Sequence, residues 1–263
     1  MIGQNKFKDF LSNWSVPPHF IIVNGEIGSG RTTLIELIKS KFKYQTVICG
    51  SSVDEVREVV KMAYMVAENT FYVFYNGDKL STAAKNALLK VVEETPNNAY
   101  FIMRTEFGTI DTLKNRAFYY NLQPYSFNEL KEYYKQNNKL DVFEKYGKIS
   151  KTVGQIKTFL SSPYEDIIDY CKTIIDMISN VSQGNIFNIT HKLNLSDDAS
   201  KWDVNLFLNA LEWELYNAYI KNSNDKYFQA IFRLNNVRSE LRINGVNKQV
   251  VFDNFFLGLK GLL

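Results

Sequence analysis

Short apolar runs alternate with helical patterns through the first half of the chain. The apolar runs are rich in β-branched and aromatic residues and predict strands at 19–23, 46–49, 71–75, 99–103 and 117–122. The central ones are apolar throughout, as strands buried on both faces of a sheet must be. Between them, helical patterns cover roughly 31–42, 54–67 and 82–94, with a shorter one near Thr112. This alternation predicts an α/β fold in which helices cover both faces of a parallel sheet.

After Pro124 the strand pattern ends and helical patterns take over. Ser126, with Glu129 three residues on, has the spacing of a capping box. Pro163 stands where the first turn of a further helix would tolerate it, and long amphipathic patterns run from Ala199 to the end. The pattern therefore predicts an α/β domain, a small helical domain and a larger helical C-terminal domain.

Composition narrows the class of protein only slightly. The chain has 263 residues, a net charge of +3 and a pI near 8.6, which permits contact with nucleic acid without requiring it. Cys49 and Cys171 lie far apart without nearby histidine spacing, so neither a disulfide framework nor a zinc site is expected. The N-terminus lacks the apolar core of a signal peptide, and no apolar run approaches membrane-spanning length. These features predict a soluble cytoplasmic protein without a membrane partner.

The stretch NGEIGSGRTTLIEL, residues 24–37, has the glycine spacing of a phosphate-binding loop between a strand and a helix. In such a loop the backbone amides and the helix N-terminus point at the phosphates. An arginine stands where these loops carry lysine, and its planar guanidinium is a poor substitute for a compact point charge. The alternative is a glycine-rich turn without a ligand. The candidate nucleotide- or phosphate-binding residues are Gly25, Gly28, Gly30, Arg31, Thr32 (the expected magnesium ligand) and Thr33.

A loop that hydrolyses ATP also needs carboxylates at the end of a following buried strand. The strand at 71–75 is the obvious candidate, but Tyr75 and Asn76 stand at its tip. Asp78 is acidic but lies in the turn beyond. The sequence therefore predicts a degenerate site, which requires no cofactor and which could hold ATP, ADP or phosphate without turnover.

The most specific segment is STAAKNALLKVVEETPNNAYFIMRTE, residues 81–106. It resembles the clamp-loader branch of the AAA+ ATPases, in which a helix of pattern AAxNALLKxLEEPP precedes a strand of pattern FILxTT. Residues 108–130 and 241–259 resemble further segments of that branch. The resemblance implies an AAA+ P-loop domain over 1–125, a helical lid over 126–163 and a helical collar for oligomerisation over 164–263.

The resemblance also implies roles for single residues. The two acidic positions of the family's active ATPases fall on Tyr75 and Asn76, which points to a non-motor subunit. Arg116 matches the arginine finger that reaches the ATP of a neighbouring motor subunit. Thr105 falls at the sensor-1 position and Lys157 at the sensor-2 position. A plainer interpretation is open for each: an exposed arginine, a strand-end hydroxyl and a solvated lysine.

The implied partners are other clamp-loader subunits, of the gamma/tau and delta kinds, together with the sliding clamp and, through the assembled complex, primer–template DNA. The zinc module usual in bacterial relatives is missing, since its interval holds only Cys49. The alternative function is an active P-loop enzyme, either a diverged clamp-loader ATPase or a small kinase. It would use Arg31 in place of lysine and Asp78 to hold magnesium.

Overall fold

The structure is a computed structural model that describes residues 3–161, 166–178, 180, 182–193, 203–241 and 246–263. The chain forms two compact units. The first comprises Met1–Tyr133 with Thr152–Gly154, and the second comprises Tyr134–Lys151 with Gln155–Leu263. The division into an α/β domain, a lid and a collar at residues 125 and 163 stays a prediction.

The first unit contains the predicted alternation of strands and helices. Its elements in chain order are α1 (Asn5–Asn13), β1 (Phe20–Asn24), α2 (Arg31–Phe42), β2 (Gln45–Ile48), α3 (Val53–Met65), β3 (Thr70–Phe74), α4 (Thr82–Glu93), β4 (Ala99–Thr105), α5 (Asp111–Lys114) and β5 (Phe118–Asn121). The strands form one five-stranded parallel sheet in the order β2-β3-β4-β1-β5. The predicted fold class is confirmed, and each strand lies within two residues of its predicted bounds.

Alternating side chains of the central strands explain why both faces of the sheet are covered. On β1, Ile21 and Val23 pack with the apolar side of α2, whereas Phe20 and Ile22 pack with residues of α3 and α4. Because successive side chains of a strand point to opposite faces, an apolar strand of this kind needs a helix layer on each side.

Local capping fixes where several helices begin. Ser52 and Glu55 form a reciprocal capping box at the start of α3, and the Ser81 hydroxyl accepts a hydrogen bond from the amide of Ala84 at the start of α4. The predicted box of Ser126 and Glu129 is confirmed. The Ser126 amide donates to the Glu129 carboxylate over 2.8 Å, and the Glu129 amide donates to the Ser126 hydroxyl over 3.2 Å.

The described part of the chain after β5 is mainly helical. Its helices are α6 (Phe127–Gln136), α7 (Leu140–Tyr146), α8 (Val153–Phe159), α9 (Ile167–Ile178), α10 (Gln183–Leu193), α11 (Val204–Asn222), α12 (Asp225–Glu240) and α13 (Lys248–Leu262). In the second unit α11 packs against α9 and α12, and α13 packs against α10 and α12. The predicted helix starts at Pro163 and Ala199 lie outside the described residues. None of the described helices has the length and hydrophobicity that crossing a bilayer would require.

Candidate functional site

The glycine loop lies where the sheet presents the carboxyl ends of its strands. Because all five strands are parallel, the last residues of β1, β3 and β4 reach the same edge, the usual place for a ligand in an open α/β sheet. Gly28 (φ 77°) and Gly30 (φ 100°) have left-handed backbone conformations that favour glycine, and α2 begins directly after Gly30. The strand–loop–helix arrangement predicted for residues 24–37 is therefore present.

Three consecutive carbonyl groups of this loop are held by hydrogen bonds from elsewhere in the first unit. The donors are the Thr152 hydroxyl to Ile27 (2.9 Å), the Gly154 amide to Gly28 (3.1 Å) and the Tyr125 hydroxyl to Ser29 (2.7 Å). In a trans peptide the N–H points away from the preceding carbonyl. The amides that follow these carbonyls therefore point away from the three donors; the Ser29 amide donates to the Glu26 carbonyl over 3.1 Å.

An arginine that the sequence motifs do not single out lies beside the loop. The Nε of Arg104, on β4, donates to the Tyr75 carbonyl over 2.8 Å, and its Nη1 donates to the Thr32 hydroxyl over 3.0 Å. The guanidinium also lies 5.4 Å from the centroid of the Tyr75 ring, within range of a cation–π interaction. The hydroxyl expected to bind magnesium is thus engaged by a cationic side chain.

The end of β3 lacks the carboxylate that would hold magnesium beside an active phosphate loop, because Tyr75 and Asn76 stand there. The Tyr75 hydroxyl donates to the Glu36 carboxylate on α2 over 2.8 Å. The Asp78 carboxylate accepts hydrogen bonds from the amides of Glu106 (2.8 Å) and Phe107 (3.1 Å). Asp78 therefore holds the turn that follows β4.

Two arginines, Arg31 and Arg104, carry the positive charge at the loop. Burial lowers the pKa of Arg31, Glu106 and Asp78 raise it, and the like charge of Arg104 lowers it further. The two guanidinium groups are therefore close enough to repel each other. Such a pair of cations beside a helix N-terminus favours the binding of an anion over the binding of a further cation.

The two sensor candidates lie in different units. Thr105 is fully buried, and its hydroxyl donates to the Asn24 side-chain oxygen over 2.8 Å, which also accepts from the Gly108 amide over 2.9 Å. The Thr105 hydroxyl is therefore already hydrogen-bonded within the edge of the sheet. Lys157 is an exposed residue of α8, in the second unit. Their sensor roles stay predictions.

The candidate arginine finger lies in the turn between α5 and β5. Arg116 donates from Nη1 to the Thr112 carbonyl over 2.8 Å and forms an ion pair through Nη2 with the Glu93 carboxylate on α4. Its side chain is 37% exposed. Arg116 therefore precedes the edge strand β5, with its amide bonded to the Leu113 carbonyl over 3.2 Å and its partly exposed guanidinium tied to Thr112 and Glu93.

Both cysteines are buried thiols. Burial raises the pKa of Cys49 to about 12 and also raises the pKa of Cys171. They belong to different units of the chain. Within the described residues, no three side chains of His, Cys, Asp or Glu form a group able to hold a metal ion.

Comparison with known proteins finds a family match over part of the chain. Residues 22–126 match the family described as DNA polymerase III, delta subunit. The chain is also similar to the DNA polymerase III subunit delta' of Buchnera aphidicola subsp. Baizongia pistaciae, with 23% identity over 172 residues. That match covers 62% of this chain and 51% of the relative, so the chain spans about half the length of the curated relative it matches.

Solved structures give similarities of lower identity. The DNA polymerase III gamma subunit-related protein of Thermotoga maritima is 15% identical with a TM-score of 0.49, and the match covers 98% of both chains. The RuvB Holliday junction branch migration motor of the same organism is 16% identical with a TM-score of 0.47, over 83% of this chain and 76% of RuvB. AMPPCP-bound DnaA of Aquifex aeolicus is 15% identical with a TM-score of 0.45, over 98% and 95% of the two chains.

Proposed function

We propose that this chain, which matches the DNA polymerase III delta-subunit family over residues 22–126 and is similar to a delta' subunit, is a non-motor subunit of a clamp loader. In this role it helps to load the sliding clamp on primed DNA during replication. It turns over no ATP of its own and supplies Arg116 to the ATP site of a neighbouring motor subunit.

The observation that carries the non-motor role is the contact of Arg104 with Thr32. Phosphoryl transfer in P-loop enzymes needs a magnesium ion held by the loop hydroxyl and by a strand-end carboxylate. Here a guanidinium engages the hydroxyl, and Tyr75 and Asn76 stand at the end of β3. Substitution of the loop lysine by Arg31 removes a further part of the same apparatus.

The in-trans role of Arg116 is supported by its setting. A finger must be exposed enough to reach a neighbouring subunit, and its backbone must be held firmly enough to aim it. The Arg116 side chain is 37% exposed, its amide donates to the Leu113 carbonyl, and its guanidinium is tied to Thr112 and Glu93. Because both tethers lie at the surface, a phosphate of higher charge can displace them at small cost.

The proposed partners follow from the family. They are gamma/tau-like and delta-like clamp-loader subunits, the sliding clamp and, through the assembled complex, primer–template DNA. Residues 164–263 would form the collar that joins the subunits, and residues 126–163 would form the lid. The subunit would act in the cytoplasm and would require neither zinc nor another cofactor.

Two measurements on the purified full-length chain test this function. The chain should form a stable complex when mixed with gamma/tau and delta subunits, as followed by size-exclusion chromatography. Alone, it should turn over ATP far more slowly than about 1 s⁻¹, the low end for dedicated phosphoryl-transfer enzymes. Failure to enter the complex, or turnover near that rate, would reject the proposal.

The alternative of an active ATPase or small kinase has no support in the geometry of the loop. It requires Asp78 to hold magnesium, but the Asp78 carboxylate already accepts the amides of Glu106 and Phe107. The turnover measurement on the isolated chain separates this alternative from the non-motor role.

A further inference from the structure

We propose that the Arg104 guanidinium takes the place that a magnesium ion has in an active phosphate loop, so that this loop binds the diphosphate group of a nucleotide without a divalent metal. The inference rests on the proposed function, because it concerns the same degenerate site. It goes further by assigning the site a ligand class and a metal-independent mode of binding.

The residues at the site do not fit a magnesium ion. Mg²⁺ takes oxygen ligands at about 2.0–2.1 Å and is usually held by one or two carboxylates together with substrate phosphates. The Thr32 hydroxyl lies 3.0 Å from the Arg104 guanidinium, and Tyr75 and Asn76 supply no carboxylate. A dication placed at Thr32 would therefore meet the fixed positive charge of Arg104 without a carboxylate ligand at the end of β3.

Arg104 is fixed in this position by independent contacts. Its Nε bonds the Tyr75 carbonyl over 2.8 Å, and its guanidinium lies over the Tyr75 ring. The Tyr75 ring is itself anchored by the hydrogen bond from its hydroxyl to Glu36. The guanidinium thus bridges the start of α2 and the end of β3, the two elements that a metal ion would join.

The other side of the loop suits an anion. The three held carbonyls turn the following amides away from their donors. The Ser29 amide donates to the Glu26 carbonyl, whereas the amides of Gly28 and Gly30 make no hydrogen bond to any described residue. These two amides, together with the N-terminus of the 12-residue helix α2, offer hydrogen-bond donors to an anion. Arg31 and Arg104 add two positive charges that repel each other, and the carboxylates of Glu106 and Asp78 offset part of the charge at Arg31.

The ligand class follows from which parts of the loop are present. Backbone amides of a P-loop cradle the α- and β-phosphates, whereas the loop lysine and the metal act on the β- and γ-phosphates. This chain retains the glycine-rich backbone of the loop, whereas the loop lysine and the strand-end carboxylates are replaced. A nucleoside diphosphate therefore matches the site better than a magnesium–triphosphate complex.

The test is ADP binding to the full-length chain by isothermal titration calorimetry, in excess EDTA and in excess magnesium. We expect the dissociation constants in the two buffers to agree within about threefold. We expect Arg104→Ala to weaken binding in EDTA by at least about tenfold, because a charge-assisted hydrogen bond to phosphate is lost. Arg104→Gln, which keeps the size and polarity of the side chain without its charge, should weaken binding similarly if Arg104→Ala fails to fold.

Arg57→Ala is the matched control. Arg57 lies on α3, its side chain is 64% exposed, and its ion pair is with Asp54. Its removal should leave ADP binding unchanged in both buffers.

Three results would overturn the inference: tenfold tighter binding with magnesium, unchanged affinity after loss of the Arg104 charge, or no ADP binding in either buffer. Each of them leaves the proposed function intact if the chain still enters the complex and turns over no ATP. Conversely, turnover by the isolated chain would reject the proposed function directly.

Discussion

The Arg116 guanidinium forms an ion pair with the Glu93 carboxylate, and so joins the turn before β5 to the helix α4. The side chains of both partners remain exposed, at 37% and 45%, and exposed ion pairs of this kind contribute roughly 0–1 kcal/mol to stability. The pair therefore orients Arg116 more than it stabilises the fold.

Glu93→Gln tests this orienting role. We expect the free energy of unfolding to change by less than about 1 kcal/mol, because the lost ion pair is exposed. In the reconstituted clamp loader, the variant should lower DNA-stimulated ATPase less than Arg116→Ala does, since the Thr112 carbonyl still holds the guanidinium. Denaturant titration and a steady-state ATPase assay measure the two effects. An unfolding change of several kcal/mol would show that the pair is structural.

Gly154→Ala tests the contact that holds the glycine loop. A β-carbon at residue 154 would lie 2.3 Å from the Cα of Gly28, a backbone atom that cannot move without disturbing the loop. We expect destabilisation of about 1–3 kcal/mol, as for other overpacked sites, measured by thermal unfolding.

Gly184→Ala is the control for the change of a helical glycine to alanine. Nothing lies within 4 Å of the added β-carbon in α10, so this variant should be neutral or more stable by up to about 1 kcal/mol. If both variants behave alike, the close approach of Gly154 to Gly28 has no energetic consequence.

Glu214 on α11 should make the stability of the second unit depend on pH. Burial is the main cause of its raised pKa, and Asp169 and Asp176 also raise it, against the hydrogen bond from Asn217 and the charge of Lys172. A carboxyl with a raised pKa binds its proton more tightly in the folded chain, so its ionisation lowers stability as pH rises above the ordinary glutamate range.

Glu214→Gln should therefore raise the melting temperature at pH 7, and the gain should vanish once pH falls below the ordinary glutamate pKa of about 4.3, because the wild-type carboxyl is then protonated in both states. Thermal unfolding of the two proteins across this range measures the difference. A gain that does not depend on pH would assign the effect to something other than this ionisation.

The fold was predictable because its signals are local and mutually consistent. The predicted and observed bounds of α2 coincide at Arg31 and Phe42, since a left-handed Gly30 precedes the helix and a left-handed Lys43 ends it. The strand β4 extends two residues beyond its predicted end at Met103, because the polar residues Arg104 and Thr105 continue the pairing with β1.

The contact of Arg104 with Thr32 was not predictable from the motifs. It joins residues 72 positions apart, and Arg104 occupies a variable position of the family pattern. The sequence contains one signal, an arginine near the end of the largely apolar strand β4. This strand pairs with β3 in the sheet. That signal identifies an unusual cation at the edge of the sheet, but only the register of the strands shows that it reaches the loop.

Replacement of Arg116 in the reconstituted clamp loader tests the central claim most directly. Arginine fingers contribute roughly 10³ to 10⁵ in rate in well-studied phosphoryl-transfer systems, and several motor sites in one complex would dilute the loss of a single finger. Arg116→Ala should leave assembly unchanged and lower DNA- and clamp-stimulated ATPase and clamp loading by at least about threefold. The matched control Arg57→Ala should leave both activities at the wild-type level. Equal activities for wild type and Arg116→Ala in an intact complex would contradict the account and leave Arg116 as a surface arginine.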